Sequence, residues 1–377
     1  MKKLKYILKK TMITLAILLG LLVLTVAIFI NVSPQFGSSI SKEQKAAFAN
    51  SKNYHDGKFI NLGNVEMSMG FKKMSKALIK FASSHPNTIP ASAIPVQVAD
   101  SINIAQYAGP TRFIWFGHST FLLQINGKNI LIDPMFGDVP APHPMLGTKR
   151  FGEKLPIQIE ALPHHIDAVI LSHDHYDHLD YGSIVILKDK VNTFYTPLGV
   201  GSHLQEWGVA SQRIVEMDWY DEIALDDLVF KCTPAQHFSG RGLTDRGATL
   251  WSSWIIQSPT ENIFFSGDSG YGSHFKEIGE SYGPFDLALI ECGQYDVLWQ
   301  EIHMMPEETV QAAIDLKAKA AMPIHWGAFK LANHEWNEPV KRLSESIKHT
   351  DITLVIPVIG ESVQLMNLKP NTSTWWQ

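Results

Sequence analysis

Within six residues, His173-Asp174-His175-Tyr176-Asp177-His178, the chain places three imidazoles and two carboxylates. The run follows the apolar stretch 168–171, which reads as a short buried strand, so it sits at a strand end. In extended backbone, residues two apart point the same way, and His173 and His175 can share one cation. The turn that follows presents Asp177 and His178 to a second. Groups packed this densely repel one another or lose their hydration unless a cation joins them, which favours metal binding over a solvated polar loop. Two cations need further ligands, and later strand ends offer them. His237 follows 228–233, Asp268 lies in Gly267-Asp268-Ser269-Gly270 after 263–265, and His325 follows 321–324. Singly, Asp268 reads as a turn residue and the two histidines as hydrogen-bonded core groups. As a set, their common strand-end position fits metal ligands better.

Strand and helix signals interleave from residue 112 onward. Strands are expected at 112–116, 120–125, 129–132, 168–171, 228–233, 250–257, 262–265, 286–290, 320–324 and 352–356, with Asn126-Gly127 as a hairpin turn. Helices are expected at 180–187, 198–207, 272–279, 306–319 and 340–347; Pro306 followed by Glu307 and Glu308 is a good helix start. This alternation predicts a layered α/β (α+β) domain.

The N-terminus predicts a membrane helix. Lys2, Lys3, Lys5, Lys9 and Lys10 precede a charge-free run at 11–30. As a helix, twenty residues span ~30 Å, the thickness of a bilayer core. A signal peptide has a shorter apolar region and a small-residue cleavage site, and Phe29-Ile30-Asn31-Val32 is a poor one. An uncleaved single-pass anchor in the cytoplasmic membrane is therefore expected, with the lysines inside and the C-terminal domain on the extracytoplasmic side. A short linker follows at 31–41. Residues 65–84 read as an amphipathic helix with Met67, Phe71, Met74, Leu78 and Phe81 on one face and four lysines elsewhere; packing of that stripe on the main domain is favoured over rest on a membrane surface. Without the five N-terminal lysines, 27 basic residues face 37 acidic ones, a net of −10. That is a poor match for nucleic acid. Cys232 and Cys292 read as free buried thiols.

The motif resembles the H-x-H-x-D-H signature of the metallo-β-lactamase superfamily. Over about 105–367 the sequence is similar to the phospholipase D branch that hydrolyses N-acylphosphatidylethanolamine. The blocks that carry the likeness include Trp115-Phe116-Gly117-His118-Ser119-Thr120, Asp133-Pro134, Gln236-His237, Gly267-Asp268-Ser269-Gly270-Tyr271, His303 and Ile324-His325-Trp326-Gly327. The resemblance implies a four-layer αββα sandwich with two zinc ions at one edge, although iron or manganese could occupy such donors. It implies one ion on His173, His175 and His237, a second on Asp177, His178 and His325, and Asp268 bridging both. It departs from the family at Ile290-Glu291-Cys292-Gly293, where relatives often carry a proline, at Ile302, and at Phe238-Ser239-Gly240-Arg241. These positions are expected to line the substrate pocket.

The resulting expectation is a phospholipase D that yields N-acylethanolamine and phosphatidic acid. Asp177 and His303 are its catalytic residues. Arg241, Arg246 and His118 are substrate-side or supporting groups, with a surface role equally open for the arginines and a core role for His118. Another ester, lactone or small phosphodiester as substrate stays open, as does a non-enzymatic metal-dependent binding protein. The expected division is an anchor at 1–31, a linker with the amphipathic segment at 32–104, and the hydrolase domain at 105–370. Nothing in the sequence specifies an oligomeric state.

Overall fold

The computed structural model describes residues 2–377 except 64, 66–69, 84, 153 and 370–373, and leaves the side chains at 71, 81 and 82 undescribed. Two seven-stranded sheets face one another. In the first, Ser362–Gln364, Arg112–Trp115, Phe121–Ile125 and Lys128–Ile132 are antiparallel neighbours. Ile166–Ile170, Val191–Pro197 and Ile214–Met217 then continue it in parallel. The second repeats the scheme. Glu222–Leu225, Leu228–Thr233, Ser253–Gln257 and Asn262–Phe265 are antiparallel, and Leu287–Glu291, Ala320–Ile324 and Thr353–Leu354 follow in parallel.

Period-two alternation builds the layers. In Ile166–Ile170, Ala168 and Ile170 point into the core between the sheets, where they join Trp115, Phe121, Phe230, Trp254 and Phe265. Val169 and Leu171 point outward, to Ile184, Leu187 and Leu204 of the helices Tyr181–Leu187 and Gly201–Glu206. On the other side, Phe264, Ala288 and Ile290 meet Phe275, Val310, Ala313 and Leu343 of His274–Ser281, Pro306–Asp315 and Glu338–Ser346. Strands covered on both faces read as continuous apolar runs. The result is the expected αββα sandwich. Cys232 and Cys292 are free and buried in different layers.

Trp254 ties the two sheets together beside the motif. It is fully buried, and its indole N–H donates to the Leu171 carbonyl at 2.9 Å, two residues before His173. Trp254→Ala removes that bond and leaves a large void, a loss of about 3–5 kcal/mol. Denaturant unfolding of the metal-free chain checks it: a midpoint unchanged from wild type is the contrary result.

The strands 191–197, 214–217, 222–225 and 362–364 were not expected from the sequence. Three of them are edge or near-edge strands of three or four residues, too short to carry a periodic signal. Helix 306–315 stops before the expected 319 because Lys317 adopts a left-handed φ of 56°.

Lys2–Val32 is one helix with no buried residue, and it is the one described helix long and apolar enough to cross a membrane. The stretch expected as a linker is docked on the domain instead. Trp207 donates to the Pro34 carbonyl at 2.7 Å, and Arg241 donates twice to the Gln35 carbonyl. Phe48 and Phe59 further on enter the inter-sheet core. The amphipathic segment forms a helix at Phe71–Ala82; Met67 lies outside the described residues. Its packing differs from the expectation. Ala77 is buried, while Met74, Leu78 and Ile79 are exposed.

Candidate metal centre

The site lies along one edge of the sandwich, beyond the carboxyl ends of successive strands. Asp133 follows Lys128–Ile132, His173 follows Ile166–Ile170, and His237 follows Leu228–Thr233. Asp268 follows Asn262–Phe265, Glu291 ends Leu287–Glu291, and His325 follows Ala320–Ile324. Crevices at such strand ends are where α/β sheets place ligands. His118, Asp133 and His325 hold positive φ angles of 54°, 40° and 65°. Such conformations cost non-glycine residues energy and persist where surrounding bonds enforce them. Here the His118 and His325 backbones are cross-bonded: His325 N–H donates to the His118 carbonyl, and His118 N–H to the Trp326 carbonyl, both at 3.1 Å. Gly267, with φ 55°, lets the chain turn into Asp268; a Cβ there would lie 2.7 Å from that of Ser172.

The residues singled out from the sequence converge into two clusters. In one, Nε2 of His173 lies 2.9 Å and Nε2 of His237 3.1 Å from Nδ1 of His175. A tetrahedral cation with bonds of ~2.0–2.1 Å has ligand atoms roughly 3.3 Å apart, so the three nitrogens sit close to the spacing a metal requires. Asp268 Oδ2 stands 3.8 Å from both His173 and His237 Nε2. The second cluster holds Asp177, His178, His325 and His118, with Asp177 Oδ2 at 3.1 Å from His325 Nε2 and 2.9 Å from His118 Nε2. Asp268 joins the two: it is also 3.1 Å from Nε2 of both His178 and His325. His178 Nε2 and Asp268 Oδ1 are buried, and neither has an aligned hydrogen-bond partner. Orphaned buried polar atoms facing one another are the signature of a missing shared partner, and a cation fits it. These donors can hold metal.

Outer contacts aim the rings. His178 Nδ1 faces Asp133 at 2.7 Å, and Asp133 also accepts from the Ser172 N–H and hydroxyl. His173 Nδ1 meets the Ser172 hydroxyl at 2.9 Å, and His237 Nδ1 meets the Ile302 carbonyl at 3.0 Å. With protons assigned to these Nδ1 atoms, Nε2 of each ring is the free donor. Burial would raise the Asp268 and Asp177 carboxyls, but neighbouring imidazoles, His178 foremost, hold both well below the usual carboxylate range. Burial likewise pushes His325 down, yet Asp268, Asp177 and Glu291 hold it up at about 10. His118 is driven down to about 3, by burial and then by His325, and stays neutral. So dense an array of buried anions calls for positive charge.

Glu291, expected to line the substrate pocket, stands instead behind His303 and His325. It is fully buried at the end of its strand. One oxygen accepts the Ser269 N–H at 2.5 Å; the other bonds His303 Nδ1 and lies 3.3 Å from His325 Nδ1. His303 stacks on His325 at 5.2 Å, and it comes close enough to Asp268 and His325 to form a further ligand cluster. The two arginines diverge. Arg241 is buried and spends its donors on the carbonyls of Asp174, Leu179 and Gln35, with Tyr176 stacked on its plane. It clamps the motif loop to the turn Pro34–Phe36 that follows the N-terminal helix. Arg246 lies 3.6 Å over Phe238, whose ring packs on His175 and His237, and its Nε is buried without a partner.

Fold and site together define a metal-dependent hydrolase. The family profile described as Beta-lactamase superfamily domain matches residues 128–326. An uncharacterised protein of Mycobacterium tuberculosis is 41% identical over 344 residues, 88% of this chain and 89% of its own length. The N-acyl-phosphatidylethanolamine-hydrolyzing phospholipase D 1 of Caenorhabditis elegans is 34% identical over 245 residues, 61% of this chain and 68% of that protein. Igni18, a metallo hydrolase from Ignicoccus hospitalis, superposes with a TM-score of 0.51 at 20% identity, over 68% of this chain and 98% of that one, and supports the fold alone. The chain belongs to the metallo-β-lactamase superfamily and is related to the phospholipases D that hydrolyse N-acylphosphatidylethanolamine.

Proposed function

We propose that the protein is a zinc-dependent phosphodiesterase of phospholipase D type that hydrolyses N-acylphosphatidylethanolamine to N-acylethanolamine and phosphatidic acid. The observation that carries this is the pair of donor clusters joined by Asp268, with His303 and Arg246 beside them. We assign His173, His175 and His237 to one zinc ion, Asp177, His178 and His325 to the other, and Asp268 to both. Imidazole-rich sets with carboxylates suit zinc. Two bound cations would supply water of lowered pKa and neutralise charge on the entering and departing oxygens.

The chain's own groups do the rest. Asp177, held by the neutral His118, orients the attacking water. His303 has its Nδ1 engaged by Glu291, which leaves Nε2 to protonate the departing ethanolamine oxygen. Arg246 supplies a cationic donor for the phosphodiester; Arg241, already saturated by carbonyls, acts through the position of the motif loop. We further propose that residues 1–31 are an uncleaved anchor, 32–104 a docked collar, and 105–370 the hydrolase domain on the extracytoplasmic face. A tethered enzyme can draw a diacyl substrate from the bilayer without carrying it through water. Side-by-side assay of the zinc-loaded chain on N-acylphosphatidylethanolamine vesicles, bis(p-nitrophenyl) phosphate and a lactone tests the substrate class. The vesicle substrate is expected to have by far the highest kcat/KM; preference for the lactone would reassign the site to ester chemistry.

A further inference from the structure

Beside the motif loop lies a cavity of about 540 Å³ that meets the catalytic groups proposed above only at Arg246. Its walls include the end of the N-terminal helix at Ile30 and Asn31 with the turn after it, Lys45 and Lys58 from two further segments, Asp174 and His203, and the loop carrying Leu243 and Arg246. The charge of this lining is unbalanced in a specific way. Its two acids are already satisfied. Asp174 accepts from the Gly240 N–H and the Thr249 hydroxyl, and Asp245 accepts from the N–H groups of Arg241 and Gly242. Lys45, Lys58 and Arg246 make no ion pair among the described residues, and Arg246 Nε is a buried donor with nothing to donate to. A buried unpartnered guanidinium donor with two ammonium groups in one cavity calls for an acceptor-rich anion.

The position of the cavity says where that anion comes from. The apolar run ends at Ile30, before Asn31, so a helix spanning a bilayer core of ~30 Å delivers Ile30 to the headgroup layer. The helix end is fixed to the domain there: Phe29 packs on Phe36 and His143, and the Ser38 N–H donates to His203 Nδ1 at 3.1 Å. Leu243, which lines the same cavity, is an apolar side chain 80% exposed.

We propose that this cavity is a binding site for a phosphate anion borne on a glycerophospholipid headgroup, with the acyl chains remaining in the bilayer beside Ile30. The site adjoins the catalytic centre through Arg246 and Phe238, and so holds a lipid one ring away from His175 and His237. The proposal rests on the reading of the N-terminal helix as a membrane span.

Native mass spectrometry of the full-length, zinc-loaded chain in neutral detergent tests it, with phosphatidylglycerol, phosphatidylcholine and inorganic phosphate as separate probes. Wild type should retain one phosphatidylglycerol in preference to phosphatidylcholine. The exposed pair Lys45→Ala/Lys58→Ala should weaken that retention on the order of tenfold, and Lys45→Arg/Lys58→Arg should restore it. Equal retention in the double alanine variant overturns the proposal, because a lipid held at the metal centre would ignore both lysines. Displacement of the lipid by an equal concentration of inorganic phosphate overturns the lipid source. An intact mass that lacks the first 32 residues overturns the membrane placement. Hydrolysis measured in parallel separates the claims: turnover without lipid retention removes only this cavity, and retention without turnover removes only the substrate assignment.

Discussion

Replacing Asp177 by Asn lowers hydrolysis on the order of 10³-fold, as expected when one member of a group acting as a unit is removed. The substitution preserves shape and volume, so the sandwich should stay folded. What changes is charge. Asp177 Oδ2 is within 3.1 Å of both His118 and His325 Nε2 and 3.5 Å from His178 Nε2. An amide there has one neutral acceptor and brings N–H groups towards rings that already need to offer lone pairs. The second cation would lose one of its two proposed anionic ligands, Asp268 remaining, and the water would lose the carboxylate proposed to orient it. Metal content should fall from two ions per chain towards one, with the far-ultraviolet circular dichroism unchanged. Activity within tenfold of wild type, at full metal content, is the contrary result.

Glu291→Gln should lower the affinity of the second metal site about 10–100-fold, the range seen when a carboxylate behind a ligating histidine is lost. Glu291 serves two histidines with one oxygen: it bonds His303 Nδ1 and faces His325 Nδ1. The carboxylate serves both histidines with one oxygen and accepts the Ser269 N–H with the other; the amide has one oxygen for both duties, and its N–H₂ group must face either the histidines or that N–H. His325 then loses part of what fixes its orientation, and His303 loses the partner that commits Nε2 to the substrate. The expected kinetic signature is a fall in kcat larger than any rise in KM, since the role proposed for His303 is on the leaving group. Competition with a chromogenic chelator measures the metal term independently of turnover. Wild-type metal affinity together with wild-type kcat would leave Glu291 a purely structural carboxylate.

The candidate donor clusters were legible in the sequence because their densest part is local. His173, His175, Asp177 and His178 fall within six residues, where strand-end geometry alone predicts a shared site. His237, Asp268 and His325 follow strands whose apolar runs mark their ends, and the topology brings those ends to one edge. Glu291 could not be read in this way. Its partners lie 12 and 34 residues further on, and a single acid closing an apolar strand has no periodicity to betray it. The signal that was present is its burial: an acid at the end of the apolar run 287–290 must find partners. Arg241 stood in the loop after His237 and suggested a phosphate contact. Its true neighbours include the Gln35 carbonyl, more than 200 residues earlier, and no local pattern reports a contact of that range. The docked segment 33–38 was hidden for the same reason. Met74 and Leu78 carry the helical spacing of a buried stripe, yet they are exposed, because spacing fixes a helix face but not what lies against it.

The most direct test of the central claim is hydrolysis of N-acylphosphatidylethanolamine in ¹⁸O-labelled water, with zinc-loaded chain and a chelated control, followed by mass spectrometry of the products. Attack at phosphorus places one labelled oxygen in phosphatidic acid and none in N-acylethanolamine, and the reaction stops when the metal is removed. Label in a released fatty acid would mark an acyl hydrolase, and products formed equally in the chelated control would take the metal centre out of the chemistry.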